Sequence, residues 1–374
     1  MKSIRRHLRD YVLKRYDGQD GGNLMAWDRA DQLISEHLQS LPGRDGRLLL
    51  LNEMFGALTL ALHYRQPISV VDSHLCRTAI QQNAQNNGVE PGSFTVVREL
   101  AEAPAGVQDV VIKLPKNHNL LTEQLSILAT RYGQGVRVTF GGMNKYITRS
   151  VYDVLEHSLA SVEVHRAVGK ARLVTGKLKA PSGGSATRQK EYTIPGTKLT
   201  VSTSPSVFAS TGLDPGSAVM LKHLPIHGHS SVCDLGCGAG PLGLVYASLV
   251  KTSSVDFVDD SFAAVRMAEA NWLANGLDES RARFISNDCL TGCMNERYDL
   301  ILCNPPFHRG HAIETGTAQR MFRDAHRCLV TDGELYVVFN RHLSYLRPLR
   351  RLFGSVDTLS KHPRFVVVRC IKGR

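Results

Sequence analysis

No stretch of the 374 residues approaches the roughly eighteen consecutive apolar positions that a membrane-spanning helix requires, so no membrane crossing is expected. The eight cysteines form no CxxC pair. That excludes a dithiol redox motif and a paired-cysteine zinc site, and a chain of this length needs no disulfide to hold a core. The thiols therefore read as free thiols of a reducing cytosol, the chain as cytoplasmic, and no metal site is expected. The opening MKSIRRHLRDYVLKR lacks the apolar segment of a secretory signal and reads as a solvated helix face. Acidic residues are in deficit, 34 against 45 Lys and Arg, leaving a formal charge of +11. This favours an anionic partner such as nucleic acid. Hydrophobic residues make up 43%, enough for a globular protein, and the length points to two domains rather than one.

What is present, above all, is repetition. RLLLLNEMFGALTLAL (47–62) parallels SVCDLGCGAGPLGLVY (231–246), with Gly56 opposite Gly240 and Leu58 opposite Leu242. Next, SVVDSHLCRTAIQQNAQNNG (69–88) parallels DFVDDSFAAVRMAEANWLANG (256–276), matching Asp72 with Asp259, Asn83 with Asn271 and Asn87-Gly88 with Asn275-Gly276. DVVIKLPK (109–116) matches DLILCNPP (299–306), and GVRVTFGGMNKY (135–146) matches GELYVVFNRHLSY (333–345). Four matches in one order imply two copies of one fold. Each copy alternates short apolar strands with helices, the pattern of a doubly wound parallel sheet. RFVVVRCI (364–371) reads as an antiparallel edge strand. The Pro-, Gly-, Ser- and Lys-rich segment 176–198 reads as a linker or surface hairpin, giving domains 1–185 and 186–374.

The second copy carries the chemistry. In VCDLGCGAG (232–240) an apolar strand runs into Asp234, Gly236, Gly238 and Gly240. The glycines permit positive φ and let the backbone approach a ligand. The GxGxG spacing with an acid two residues earlier suits the amino and carboxylate ends of S-adenosylmethionine better than a pyrophosphate. Asp259 ends the next strand, where a carboxylate can accept ribose hydroxyls, and its neighbour Asp260 is the expected N-cap of the following helix. The third strand ends at Asn287-Asp288, where polar side chains could meet an adenine edge.

YDLILCNPPFH (298–308) is an apolar strand that stops at Asn304-Pro305-Pro306-Phe307. An amino group on a nucleobase or amide is a poor nucleophile because its lone pair is delocalised. If the Asn304 oxygen and the Pro305 carbonyl each accept one N–H, the nitrogen can become tetrahedral and attack in line. Phe307 offers a face on which a flipped base can stack. His308, Arg309 and His311 beyond the loop, and Arg341, His342, Arg347, Arg350 and Arg351 further on, are candidates for RNA contact; the alternative for each is a solvated side chain with no partner role. In the first copy Leu50, Asn52, Met54 and Leu114 stand where the second has Asp234, Gly236, Gly238 and Asn304. That copy keeps the fold and loses the chemistry, and Lys113 and Lys116 at its old site hint at RNA contact.

These residues, together with VFASTGLDPGSAVMLKHLP (207–225) and ELYVVFNRHLSYLRPLRRLFG (334–354), resemble the bacterial ribosomal RNA guanine-N2 methyltransferases with a duplicated domain. The resemblance is greatest to the large-subunit branch of that family, through Thr211, NRHL at 340–343 and AWDRAD at 26–31. It implies an α/β protein of two tandem Rossmann-like class I methyltransferase domains, the N-terminal one degenerate. It further implies S-adenosyl-L-methionine held by Asp234, Gly236, Gly238, Asp259, Asn287 and Asp288, with Asn304, Pro305 and Phe307 as the catalytic loop. The implied partner is 23S ribosomal RNA, and a monomer suffices. Methylation of 16S RNA, methylation of a protein glutamine and non-catalytic RNA binding are the alternatives. The protein-glutamine class uses an NPP loop too, but closes it with Tyr rather than Phe307 and lacks a duplicated basic half.

Overall fold

The apolar runs of the two copies become the inner strands of two seven-stranded sheets in a computed structural model, which describes residues 7–16, 25–41, 46–115, 117–181, 189–226, 228–306 and 315–373. The chain divides into two units, Met1–Arg188 and Gln189–Arg374. In the first unit lie β1 (Arg47–Leu51), β2 (Ile68–Val70), β3 (Thr95–Val97), β4 (Val107–Lys113), β5 (Arg137–Met143), β6 (Leu159–Val164) and β7 (Ala171–Leu178). They pair in the order β3-β2-β1-β4-β5-β7-β6, with only β7 running antiparallel to its neighbours. Its helices are α1 (Arg29–Ser40), α2 (Ala57–Ala61), α3 (His74–Asn86), α4 (His118–Tyr132) and α5 (Arg149–Ser158).

The second unit opens with a separate hairpin, β8 (Lys190–Thr193) and β9 (Thr200–Thr203). Its sheet holds β10 (Ser231–Leu235), β11 (Ser254–Asp259), β12 (Ala282–Ser286), β13 (Tyr298–Cys303), β14 (Leu329–Asn340), β15 (Ser355–Thr358) and β16 (Phe365–Ile371). Their order, β12-β11-β10-β13-β14-β16-β15, repeats that of the first sheet strand for strand. The helices are α6 (Pro215–Met220), α7 (Pro241–Leu249), α8 (Phe262–Ala274), α9 (Thr315–Cys328) and α10 (Leu346–Leu352). The fold is thus two Rossmann-like sheets in tandem. The order turns back between β10 and β13, and at such a switch point the loops beyond both strands' carboxyl ends border one crevice.

The duplication reaches individual side chains. On α8, Asn271 accepts from the Ser202 N–H at 2.8 Å and donates to the Ser202 and Ala239 carbonyls at 2.9 Å, while Asn275 holds Thr200 in the same way. On α3, Asn83 exchanges hydrogen bonds with Lys14 and donates to the Phe55 carbonyl, each at 2.9 Å, and Asn87 grips Val12. In both units two amides stand in for a neighbouring strand and satisfy an extended backbone. Within the described residues 7–16 the opening segment is not a solvated helix: Leu8 and Tyr11 are buried, and the backbone of Val12 and Lys14 is held by Asn87 and Asn83. Both helices end at an Asn followed by a glycine with φ of +62° (Gly88) or +65° (Gly276), as the Asn-Gly pairs predict.

One strand differs from expectation. β16 is antiparallel but interior, paired with β14 on one side and β15 on the other. Its first four residues are all buried, so the strand needs cover on both faces and the short, mostly exposed β15 takes the edge.

Candidate active site

Beyond β10 the chain turns through Gly236, Gly238 and Gly240 at φ of +75°, +54° and +85°. The Gly236 and Cys237 N–H groups donate to the Val258 carbonyl, at 2.8 and 3.1 Å. Gly238 N–H donates to Asp259 Oδ2 at 2.9 Å, and Asp259 Oδ1 accepts from Ser261 N–H at 2.9 Å, so this carboxylate fastens the loop to the end of β11. The glycines are not equivalent. A Cβ on Gly240 would meet Ala268 and the Phe257 ring at 3.1 Å, whereas one on Gly238 would meet no atom of the described residues within 4 Å. The turn is packed on its helix side and open where a ligand could lie against backbone.

Asp234 sits beneath this loop, 1% exposed, and its Oδ2 accepts the Gly243 N–H at 2.8 Å near the start of α7. Burial, opposed by that hydrogen bond and reinforced by the charge of Asp259, pushes its carboxyl up to about 7. Asp260 does not cap α8; Ser261 does, its Oγ accepting the Ala264 N–H at 3.0 Å. The hydroxyl one residue later has the shorter reach to the first turn.

At the end of β12, Asn287 N–H donates to the Asp259 carbonyl at 2.9 Å and its side-chain amide donates to the Thr291 carbonyl at 2.8 Å. Asp288 is engaged by both arms of the Arg320 guanidinium on α9, at 2.7 and 2.9 Å. Such a fork geometry commits both carboxylate oxygens.

Leu235 and Cys303 are register partners, so Asn304 follows β13 beside the glycine turn that follows β10. Its Nδ2 donates at 2.9 Å to Asp214 Oδ2 and at 2.9 Å to Ser217 Oγ. A carboxylate only accepts, so the amide orientation is fixed. The Oδ1 that remains is buried and has no hydrogen-bond partner among the described residues. A buried acceptor left without a donor costs about 1–3 kcal/mol, so this oxygen is open to a donor beyond the described residues. Pro305 is buried beside it and Pro306 is half-buried. Phe307, His308, Arg309 and His311 lie outside the described residues. Asp214 also caps α6, accepting the Ser217 N–H at 2.8 Å. Sequence reading missed Asp214 and Ser217 as partners of Asn304; the available signal was Asp-Pro-Gly-Ser, an N-cap acid before a proline at the first helical position.

In the first unit the matching space is filled. Asn52 keeps the left-handed turn of Gly236, at φ +65°, but its side chain donates to the Lys113 carbonyl and pairs with Gln124 through two hydrogen bonds of 2.9 and 2.8 Å. Glu53 takes over the work of Asp234: 4% exposed, it accepts the Leu58 and Thr59 N–H groups at 3.0 and 3.2 Å, and burial pushes it up to about 7. Lys113 is no free RNA contact. It is ion-paired with Asp31 at 2.7 Å and Asp28 at 3.5 Å, which holds its ammonium above the ordinary lysine range despite burial. Lys116 lies outside the described residues. Arg341 is spent on the carbonyls of His362 and Pro363, at 2.7 and 3.1 Å. Among the described residues there is no cluster of three His, Cys, Asp or Glu able to hold a metal, and no helix is long and apolar enough to cross a membrane.

Residues 198–369 match the methyltransferase small domain, and residues 1–180 match the RLMG N-terminal domain. Among solved structures the chain is similar to the T. thermophilus 16S rRNA N2 G1207 methyltransferase (RsmC), a structure in complex with AdoMet and guanosine. Identity is 25%, 92% of each chain is covered and the TM-score is 0.76. A predicted O-methyltransferase from Agrobacterium tumefaciens, Atu636, shares 21% identity over 39% of this chain and 74% of its own, with a TM-score of 0.34. An M. jannaschii tRNA m1G37 methyltransferase shares 14% over 53% and 61%, with a TM-score of 0.37.

Proposed function

We propose, from the premise that this chain is an S-adenosylmethionine-dependent methyltransferase of the family whose small methyltransferase domain and RLMG N-terminal domain it carries, that it methylates the N2 amino group of a guanine in 23S ribosomal RNA in the cytoplasm. The observation that carries the chemistry is the buried Oδ1 of Asn304, which has no partner among the described residues. Guanine N2 bears two N–H donors and a lone pair drawn into the ring. Asn304 Oδ1 accepts one N–H and the Pro305 carbonyl the other, so the nitrogen is held with its lone pair out of the ring plane. Asp214 and Ser217 keep the Asn304 oxygen, not its NH₂, toward the base. No general base is needed before the attack, since the proton is lost to solvent once the nitrogen carries a positive charge.

The glycine turn fits a cofactor: Gly238 has free space where a side chain would stand, and Asp259 closes the adjoining strand end with a carboxylate. S-adenosylmethionine supplies an electrophilic sulfonium methyl there. Asp259 takes the ribose hydroxyls, and Asn287 rather than the ion-paired Asp288 takes the adenine edge, with Asp234 supporting the turn from below. Phe307 is assigned to stacking on the extruded base.

Ribosomal RNA as substrate is supported by the likeness to a 16S guanine-N2 enzyme and by the excess of 45 basic over 34 acidic residues. The RLMG N-terminal match favours the large subunit over 16S. Asn304→Ala tests the chemistry. Transfer should fall by roughly 10²–10³-fold, the loss expected when one preorganised hydrogen-bonding group is removed, with cofactor affinity unchanged. Undiminished turnover would refute the role of the amide.

A further inference from the structure

A cavity of about 340 Å³ lies between α9 and the segment leading from β14 into α10, lined by Gln319, Ser344, Tyr345, Arg347, Pro348 and Arg351. Its place in the fold is fixed by register. β14 runs parallel to β13 with Val337 opposite Cys303, so the chain beyond Asn340 emerges at the same end of the sheet as Asn304. The far wall belongs to α9. One residue beyond Gln319, Arg320 holds Asp288; one further, the Met321 methyl comes within 3.1 Å of where a Cβ on Gly236 would stand. One short stretch of helix thus borders both this cavity and the glycine turn.

The lining carries positive charge and hydrogen-bond donors. Arg347 and Arg351 are one helical turn apart on one face of α10, both are exposed, and neither has an ion-pair or hydrogen-bond partner among the described residues. These guanidiniums beside Gln319 and the Ser344 hydroxyl make a site with donors on two walls and no carboxylate among its described lining residues. Planar forks of this kind match the oxygens of a phosphate. The floor is rigid: Tyr345 is 2% exposed and packs edge-on against Phe322 and Phe339, each with ring centroids 5.4 Å apart.

We propose that this cavity holds a backbone phosphate of single-stranded RNA close to the methylated guanosine, clamped by Arg347 and Arg351. The proposal rests on the reading of the enzyme as RNA-directed, and goes beyond it by naming a second point of attachment on the catalytic unit. The arrangement separates duties: the phosphate fixes the register of the strand, and the Asn304 loop receives the base.

The test is the salt dependence of affinity for a single-stranded oligoribonucleotide, read by fluorescence anisotropy with the full chain. Each phosphate neutralised on a single strand contributes about 0.7 to the slope of log affinity against log salt. R347Q/R351Q should lower the slope by about 0.7 and weaken binding roughly tenfold near 0.1 M salt, with S-adenosylmethionine affinity unchanged as the check on folding. R347K/R351K should keep the slope. Arg350 is on the same helix but outside the cavity lining, so R350Q should leave the slope as it is. An equal fall for R350Q, an unaltered slope in R347Q/R351Q, or no binding by the wild type would each overturn the cavity assignment. Nucleoside analysis of the methylated product judges the enzymatic reading separately: binding with the expected slopes and methyl groups on another acceptor would keep this inference and lose that one.

Discussion

Asp214→Ala separates an orienting role for this acid from a structural one. Its carboxylate accepts from Asn304 Nδ2 at 2.9 Å and from the Ser217 N–H at 2.8 Å. Loss of the second bond removes a helix cap worth about 1 kcal/mol of stability. Loss of the first removes a charge-assisted bond of about 1.5–3 kcal/mol, and with it most of the bias that keeps Nδ2 inward and Oδ1 free. Ser217 Oγ, also 2.9 Å from Nδ2, holds part of that bias. Turned over, the amide presents donors to an amino group that has only donors to offer. The expected effect is a fall in kcat of roughly ten- to a hundredfold, since about 1.4 kcal/mol is a factor of ten. Cofactor affinity should be unchanged and the melting temperature slightly lower. Single-turnover transfer at saturating cofactor, with calorimetric titration of S-adenosylmethionine alongside, measures both. An unchanged kcat, or a loss tracking cofactor affinity, would refute the reasoning.

The glycine turn offers a second discrimination. Gly238→Ala should cost only about 1–2 kcal/mol for its left-handed backbone yet weaken cofactor binding, because the methyl enters open space. Gly243→Ala would put a Cβ 2.4 Å from the Phe257 ring and should destabilise the fold by about 1–3 kcal/mol through overpacking; thermal unfolding and titration on the same samples tell them apart, and identical behaviour contradicts the account. The buried acids make a pH prediction. With the Asp234 carboxyl raised from 3.8 to about 7, the folded state binds a proton more tightly than the unfolded one. Its contribution to stability is full below about pH 4 and lost as pH rises through 7. Asp234→Asn should therefore gain urea resistance over the wild type on going from pH 5 to pH 8 without cofactor. Glu53→Gln should do the same in the first unit, since that carboxyl is raised from 4.5 to about 7, and a gap that narrows with pH would overturn the burial argument.

Much of the architecture could be read from residue order because it is written in local patterns. Asn83-Asn87 and Asn271-Asn275 recur with their glycines, and the structure shows why: the same two amides hold an extended segment in each unit. The doubly wound, largely parallel sheet of each unit followed from apolar runs alternating with helices. β16 was misplaced at the edge because its burial depends on β15, too short and too polar to announce itself. Lys113 misled for a related reason: its partners Asp28 and Asp31 are more than eighty residues away in sequence, and charge alone does not distinguish a solvated lysine from a paired one. The Asn304 amide was legible as a chemical type, but its orientation was not. That depends on Asp214 and Ser217, about ninety residues earlier, whose sequence signal is the ordinary one of a helix cap.

The most direct test of the central claim is the fate of methyl label. Purified protein is incubated with radiolabelled S-adenosylmethionine and, in parallel, unmodified 23S RNA, 16S RNA and a release-factor protein, followed by nucleoside analysis. N2-methylguanosine is expected from 23S RNA alone. N2-methylguanosine from 16S RNA would contradict the choice of subunit, and label in the protein, at another base atom or nowhere would contradict the proposed reaction.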